Sequence, residues 1–347
     1  MMKAARFIGP EKIEYSDVPK PQIEKDEVLI KVKAVGICGS DMELYYGEHN
    51  YIKKGLTKYP LIPGHEWSGQ IEEVGSDVSD FKVGDRVTGD VSLGCGKCNM
   101  CKSGRFNLCP NRVVIGSYKN RDGAFAEYIK LPYKNVYKIP DNISYEEAAM
   151  VEPAATAAYG VIKGKVGYGD TVLVIGDGSI GQLSMQCAKI AGASKVFVVG
   201  SWDEKLEIAK STGADAVMSY KKDDVLAKVD ELTGGVGVDV VIESSGNIKT
   251  VNQSLHAMKP GGKVILLSLY TTPEFMAEIN LIITKDAEVI GVLASPNTFK
   301  PTLDLMESGR INVRPLITQK FPLSKAQEAI DTIADRSICT IKPVLIP

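Results

Sequence analysis

No stretch of the 347 residues approaches the run of about 18 apolar side chains that a membrane-spanning helix needs, so none is expected. The opening residues, MMKAARFIGPEKIEYSD, carry charges where a secretory leader would carry an apolar core. No signal peptide is therefore expected, and a cytoplasmic, reducing location follows. Neither sign of charge is in excess: 41 Lys and Arg face 43 Asp and Glu, a formal net charge of −2. That balance gives no electrostatic reason for nucleic acid or an anionic membrane as partner. Internal repeats, low-complexity tracts and long linkers are also lacking. What remains, 44% hydrophobic and 24% charged residues, is the composition of a soluble globular protein. Its length exceeds what one core usually fills, so two domains are expected.

Cysteine is scarce, and four of the seven cysteines stand in one stretch, CGKCNMCKSGRFNLC, as Cys95, Cys98, Cys101 and Cys109. Four thiolates this close, on turns made by Gly94, Gly96 and Gly104, can converge on one Zn²⁺ at about 2.3 Å each, a closed structural site. Paired disulfides or unused thiols are the alternatives, and a reducing location favours the metal. Cys38, Cys187 and Cys339 stand apart from this set.

Texture changes along the chain. Residues 1–150 show short β-runs broken by Gly and Pro, among them VLIKVKAVG (28–36), SGQIEEVG (68–75), GDRV and FAEYIKLP, the pattern of a β-rich module. From residue 171 strands alternate with helical patterns. TVLVIG, KVFVVG, VDVVIESSG and KVILLS are followed by helical stretches or by a last strand, EVIGVLA. This alternation predicts an α/β, doubly wound parallel sheet. A helix near 298–309 and the final IKPVLIP return to the first module. The expected domains are thus 1–150 with 290–347, and an inserted nucleotide-binding domain over 151–289.

Gly176-Asp177-Gly178-Ser179-Ile180-Gly181 lies where a strand gives way to a helix. Glycines there let a pyrophosphate approach the backbone, with Ser179 and Ile180 at a helix N-terminus that favours its charge. The following βα pattern makes this a dinucleotide site rather than a merely tight turn. An acidic residue gripping the ribose 2′-OH is expected about 20 residues on. That place is held by Gly200, followed by Ser201 and Trp202. Without a carboxylate to repel it, and with Ser201 and Lys205 nearby, a 2′-phosphate is favoured. NADP(H) is the expected cofactor, with NAD(H) possible through Asp203 or other contacts.

Cys38, in VGICGSD, and His65-Glu66, in PGHEWSG, offer a thiolate, an imidazole and a carboxylate. Such a set holds zinc in an open site that keeps a position for water or substrate. Taken singly, Cys38 could be a buried small side chain and His65 a core histidine.

Together these motifs carry a resemblance. Gly64-His65-Glu66-x-x-Gly69-x5-Gly75-x2-Val78, the block Cys38-Gly39-Ser40-Asp41, the four-cysteine lobe and the glycine loop occur in the order and spacing of zinc-dependent medium-chain alcohol dehydrogenases. The chain is most similar to the polyol branch, that of sorbitol, galactitol-1-phosphate and threonine dehydrogenases, whose Glu-Pro block is matched by Val151-Glu152-Pro153-Ala154. The resemblance implies a GroES-like β-rich catalytic domain, a Rossmann domain and two Zn²⁺ per chain. It implies Cys38, His65 and Glu152 around the reacting zinc, with Glu66 a ligand in some states. An ethanol-type enzyme would place a cysteine at Glu152. The implied reaction oxidises a secondary alcohol of a polyol or polyol phosphate. Ser40 takes the proton, and the glycine loop with strand ends near Ser244, Ser268 and Ala294 holds the nicotinamide that receives the hydride. Relatives imply a homodimer or homotetramer. Many carry a histidine three residues after the Ser of Cys-Gly-Ser; here Glu43 stands there, and His49 reads as a loop or surface residue. Cys187 and Cys339 read as packing thiols, His256 as exposed, and Lys53, Lys54 and Lys58 as a solvated loop.

Overall fold

The computed structural model describes residues 1–270 and 274–347. The chain forms two compact units, one of Met1–Glu152, Phe299–Glu307 and Ile317–Pro347, the other of Pro153–Thr298 and Ser308–Leu316. The division falls after Glu152 and Thr298, later than residues 150 and 289, because the chain does not leave the second unit at the last strand of its sheet. After the helix Phe299–Glu307, residues of Ser308–Leu316 return to it, where Gln186 and Asn312 exchange two hydrogen bonds.

In the first unit, the strands Ile317–Pro322, Lys342–Ile346, Glu27–Gly36, Glu66–Val74, Arg86–Gly89 and Val136–Lys138 follow one another across a sheet, and Tyr128–Pro132 pairs with Glu27–Gly36. Its centre is apolar: Phe7, Trp67, Phe125, Ile30, Ile71 and Leu131 are almost completely buried. Each such side chain contributes roughly 1.5–3 kcal/mol by leaving water. The last strand meets Glu27–Gly36 antiparallel, Val344 opposite Gly36, and Gly36 in turn lies opposite Glu66. That register brings residue 342 and residue 66 to the same place from opposite ends of the chain.

The second unit is a six-stranded parallel sheet ordered Ala216–Ser219, Lys195–Gly200, Thr171–Ile175, Val238–Glu243, Met258–Leu266, Glu288–Gly291. The strands Thr171–Ile175, Lys195–Gly200 and Val238–Glu243 are nearly all buried, which is why they read as apolar runs rather than alternating patterns. The strand Ala216–Ser219 and the helix Val225–Thr233 were not read as a βα pair in the sequence. Asp224 caps that helix through the amides of Leu226 and Ala227, while the strand is too short to stand out. Strand order reverses between Thr171–Ile175 and Val238–Glu243, and in such sheets ligands bind beyond the carboxyl ends at that switch point. Among the described residues, no helix is long and apolar enough to cross a membrane.

Candidate active site and nucleotide loop

Cys38 precedes the helix Gly39–Tyr46, and its backbone N–H donates to Asp41 Oδ2 at 2.9 Å. Asp41 is fully buried, and its Oδ1 accepts from the N–H of Gly64 at 3.3 Å and faces His65 Nδ1 at 3.5 Å. One carboxylate thus ties the Cys38 turn to the His65 turn. Gly64 has to be glycine: its φ is 93°, and a side chain would run into the Phe125 ring.

With Nδ1 turned to Asp41, His65 presents Nε2 to Ser40 Oγ at 3.5 Å. Cys38, His65 and Glu66 then bring one ligand atom each within 4.8 Å of one another. Burial by itself would depress the imidazole, yet the charges of Asp41 and Cys38 outweigh it and hold His65 well above its ordinary value. The same negative charges suit a divalent cation. His65 Nδ1 faces the Asp41 carboxylate, the kind of partner that orients a histidine whose other nitrogen binds a metal. The residues present therefore fit a zinc.

Glu66 has a partner that the sequence reading missed. Lys342 Nζ donates to both its carboxylate oxygens, at 2.6 and 2.5 Å, and to the carbonyl of Ile37 at 3.2 Å, with both side chains nearly inaccessible. Burial pushes the Lys342 ammonium down, but Glu66, then Cys38, raise it above its ordinary value overall. The carboxylate is close enough to join the metal set, while Lys342 holds both its oxygens. A lysine inside the otherwise apolar IKPVLIP was the available signal.

Glu152 is not drawn into this group. It occupies the first turn of the helix Val151–Lys163. There its charge, after the larger effect of burial, raises the carboxyl of Asp90 to about 7. His49 is the clearest correction. It is 2% exposed, its Nδ1 accepts from the N–H of Tyr51 at 3.0 Å, and burial drives it down to about 4. Its Nε2 lies 4.0 Å from Glu43, so two residues out of register in sequence are neighbours here. His256 is exposed, as expected, beside Glu278.

In the cysteine lobe the ligand atoms of Cys95, Cys98, Cys101 and Cys109 also lie within 4.8 Å of one another. All four are free thiols, and Cys98 Sγ is 3.7 Å from Cys109 Sγ, too far for a disulfide. Backbone N–H groups of Lys97 and Cys98 lower the Cys95 thiol to about 6. Gly94 leaves room for this packing, since a Cβ there would stand 2.7 Å from Cys101 Sγ. A tetrahedral zinc suits four such sulfurs.

The glycine loop begins at Gly176, where φ is 120° and a Cβ would stand 2.7 Å from Ser244 Oγ. Ser244 closes the turn by donating to the carbonyl of Ile175 at 2.9 Å. Gly181 packs against the Gly176 carbonyl, whereas the space beside Gly178 is open. Gly178 caps the helix Ser179–Ala191 without any side-chain bond, and the first N–H groups of a helix, here those of Ser179 and Ile180, have no partner within it. An open glycine at a helix N-terminus fits a pyrophosphate. Ser268 and Ala294 are half-buried, beyond the ends of Met258–Leu266 and Glu288–Gly291. Lys205 is half-buried, with Nζ 5.8 Å from the centre of the Trp202 ring. Gly200 and Ser201 do not lie bare: Asp177 Oδ2 accepts from the N–H of Ser201 at 2.6 Å and of Trp202 at 3.1 Å.

Residues 24–141 match the alcohol dehydrogenase GroES-like domain, and residues 179–308 match the zinc-binding dehydrogenase domain. The chain is 36% identical to sorbitol dehydrogenase of Bacillus subtilis (strain 168), over 95% of its own length and 93% of the relative's. It is 39% identical to L-threonine 3-dehydrogenase of Pyrococcus abyssi, over 95% and 94%. A solved zinc-binding dehydrogenase of Sinorhizobium meliloti 1021, bound to NADP, superposes with a TM-score of 0.91 at 34% identity, covering 100% of this chain and 99% of that one.

Proposed function

We propose that this chain, which belongs to the zinc-binding, medium-chain alcohol dehydrogenase family, oxidises a secondary alcohol of a polyol or polyol phosphate to the ketone, reversibly, with a nicotinamide dinucleotide. The observation that carries this reading is the convergence of half-buried Cys38 with buried His65 and Glu66 in a chain that also holds the glycine loop at a sheet switch point. Cys38, His65 and Glu66 would hold one Zn²⁺, and the four-cysteine lobe a second. A Zn²⁺ bound beside Cys38 supplies Lewis acidity toward an alcohol oxygen.

The chain's own residues account for the rest. Asp41 orients His65 and fixes which ring nitrogen faces the site. Ser40 Oγ, 3.5 Å from His65 Nε2, would take the hydroxyl proton. Lys342 donates to both oxygens of Glu66, so an ammonium balances the carboxylate inside the buried site. Ser244, Ser268 and Ala294 lie beyond the carboxyl ends of their strands, where a nicotinamide is held in such sheets.

The relative from B. subtilis supports a polyol. The higher identity to a threonine 3-dehydrogenase supports a second reading, in which the secondary alcohol is that of threonine. Polyols, polyol phosphates and threonine, each offered with NAD⁺ and NADP⁺, separate the two. Turnover of polyols with little of threonine supports the first reading, and the reverse supports the second.

We place the enzyme in the cytoplasm, in keeping with seven free thiols, and as a homodimer or homotetramer. Support for assembly comes from the edge strand Glu288–Gly291, where Val289 is exposed, and from the neighbouring helix Ile279–Thr284, which buries none of its residues and exposes Ile279 and Ile283. An unpaired strand edge beside exposed apolar side chains is stable in water when a second copy covers it.

A further inference from the structure

We propose that Asp177, the second residue of the glycine loop, is what selects the nucleotide, and that it selects NAD(H) over NADP(H). The inference rests on the reading that this loop holds a dinucleotide, and it reverses the preference expected from Gly200. In the common form of this fold, the carboxylate that bonds the ribose 2′-OH comes from the residue ending the second strand. Here that residue is Gly200, yet the carboxylate is not missing. It arrives from the first strand's turn instead.

A Cβ added to Gly200 would stand 2.6 Å from Asp177 Cβ and 2.6 Å from Asp177 Oδ2. The side chain of Asp177 therefore fills the very volume into which a strand-end acid would project. Its Oδ2 takes the N–H groups of Ser201 and Trp202, which hold it there at 2.6 and 3.1 Å. Glycine at 200 is then the consequence of Asp177: only a residue without a side chain leaves room for it.

Two effects oppose a 2′-phosphate at this place. The N–H groups of Ser201 and Trp202, the donors that a phosphate would seek after Gly200, already serve Asp177. The carboxylate would also face a dianion across a short gap, which costs far more than facing a hydroxyl. A ribose 2′-OH, by contrast, can donate to a carboxylate. The cations nearby do not reverse this. Lys222 is paired with Asp203, and Lys205 and Lys221 stand over the Trp202 ring at 5.8 and 5.1 Å from its centre. With the carboxylate gone, those two lysines and two freed N–H groups would make a site for phosphate.

The test is direct binding, by nucleotide fluorescence, of NADH and of NADPH to the parent, Asp177→Asn and Asp177→Ala, alongside the ratio of kcat/KM for NAD⁺ and NADP⁺. Asparagine keeps the shape and one acceptor oxygen without the charge, and alanine frees both N–H groups. The parent should bind NADH at least about tenfold more tightly than NADPH, and both variants should move that ratio toward NADPH by about tenfold or more. A parent that binds NADPH as tightly as NADH, or variants that bind both nucleotides with the parent's ratio, would overturn the assignment to Asp177 alone. Failure to bind either nucleotide would overturn the dinucleotide reading as well.

Discussion

Glu66 and Lys342 show how a single pair of residues can hold a reactive centre in balance. A buried carboxylate beside Cys38 would be strongly disfavoured if left alone, and a buried ammonium equally so. Each is tolerable because the other is 2.5 Å away. Pairs of this kind are weak evidence for stability but costly to break on one side, by about 3–5 kcal/mol. Lys342→Met should therefore lower the unfolding free energy in denaturant by an amount of that order. The double substitution Glu66→Leu with Lys342→Met should recover most of the loss, because no charge is then left unpaired. Equal stability of Lys342→Met and the parent would show that Glu66 finds another partner. At the same scale, Gly200→Asp is not a clean restoration of a missing acid, since its side chain would collide with Asp177.

Among the elements, the two metal sets differ in what surrounds them, and so in what their loss does. The cysteine lobe consists of short pieces, the strand Ser92–Leu93, the helix Asn99–Lys102 and a few turns, with little apolar interior of its own. A zinc held by its four cysteines would supply much of its order, as in small zinc domains. The Cys38 set lies between the long, largely buried strands Glu27–Gly36 and Glu66–Val74, which carry an apolar core of their own. Cys101→Ser should lower the melting temperature and leave the protein prone to proteolysis in the lobe. Cys38→Ser should stay folded, lose about one zinc equivalent of two by elemental analysis, and lose nearly all turnover. Full activity in Cys38→Ser would remove that residue from the site. These elements also show what a sequence can reveal. Motifs confined to one turn, such as the glycine loop or the cysteine run, were legible because neighbours in sequence are neighbours in space. The parallel strands were legible because burial on both faces leaves continuous apolar runs. Lys342 and Asp177 were not, because their partners come from residues 66, 201 and 202, and only strand register brings these together. His49 was misread because nothing local distinguishes a histidine packed against Tyr51, at 4.6 Å between ring centres, from one in solvent.

For the molecule as a whole, assembly and chemistry can be tested separately. If a second copy covers the strand Glu288–Gly291, sedimentation should give at least twice the mass of 37.5 kDa. Ile283→Lys with Val289→Lys should then shift it toward the single chain, because charges on both apolar positions oppose burial. A single-chain mass for the parent would leave this edge to another role. The central claim is that zinc held by Cys38 and His65 makes this a polyol dehydrogenase. It is tested most directly by following nicotinamide reduction with a panel of polyols and polyol phosphates, on the zinc-loaded enzyme and after chelation of the more labile metal. The account predicts turnover of at least one polyol, its loss on chelation, and its return when Zn²⁺ alone is added back; turnover undiminished by removal of that zinc, or none with any secondary alcohol in the panel, would contradict it.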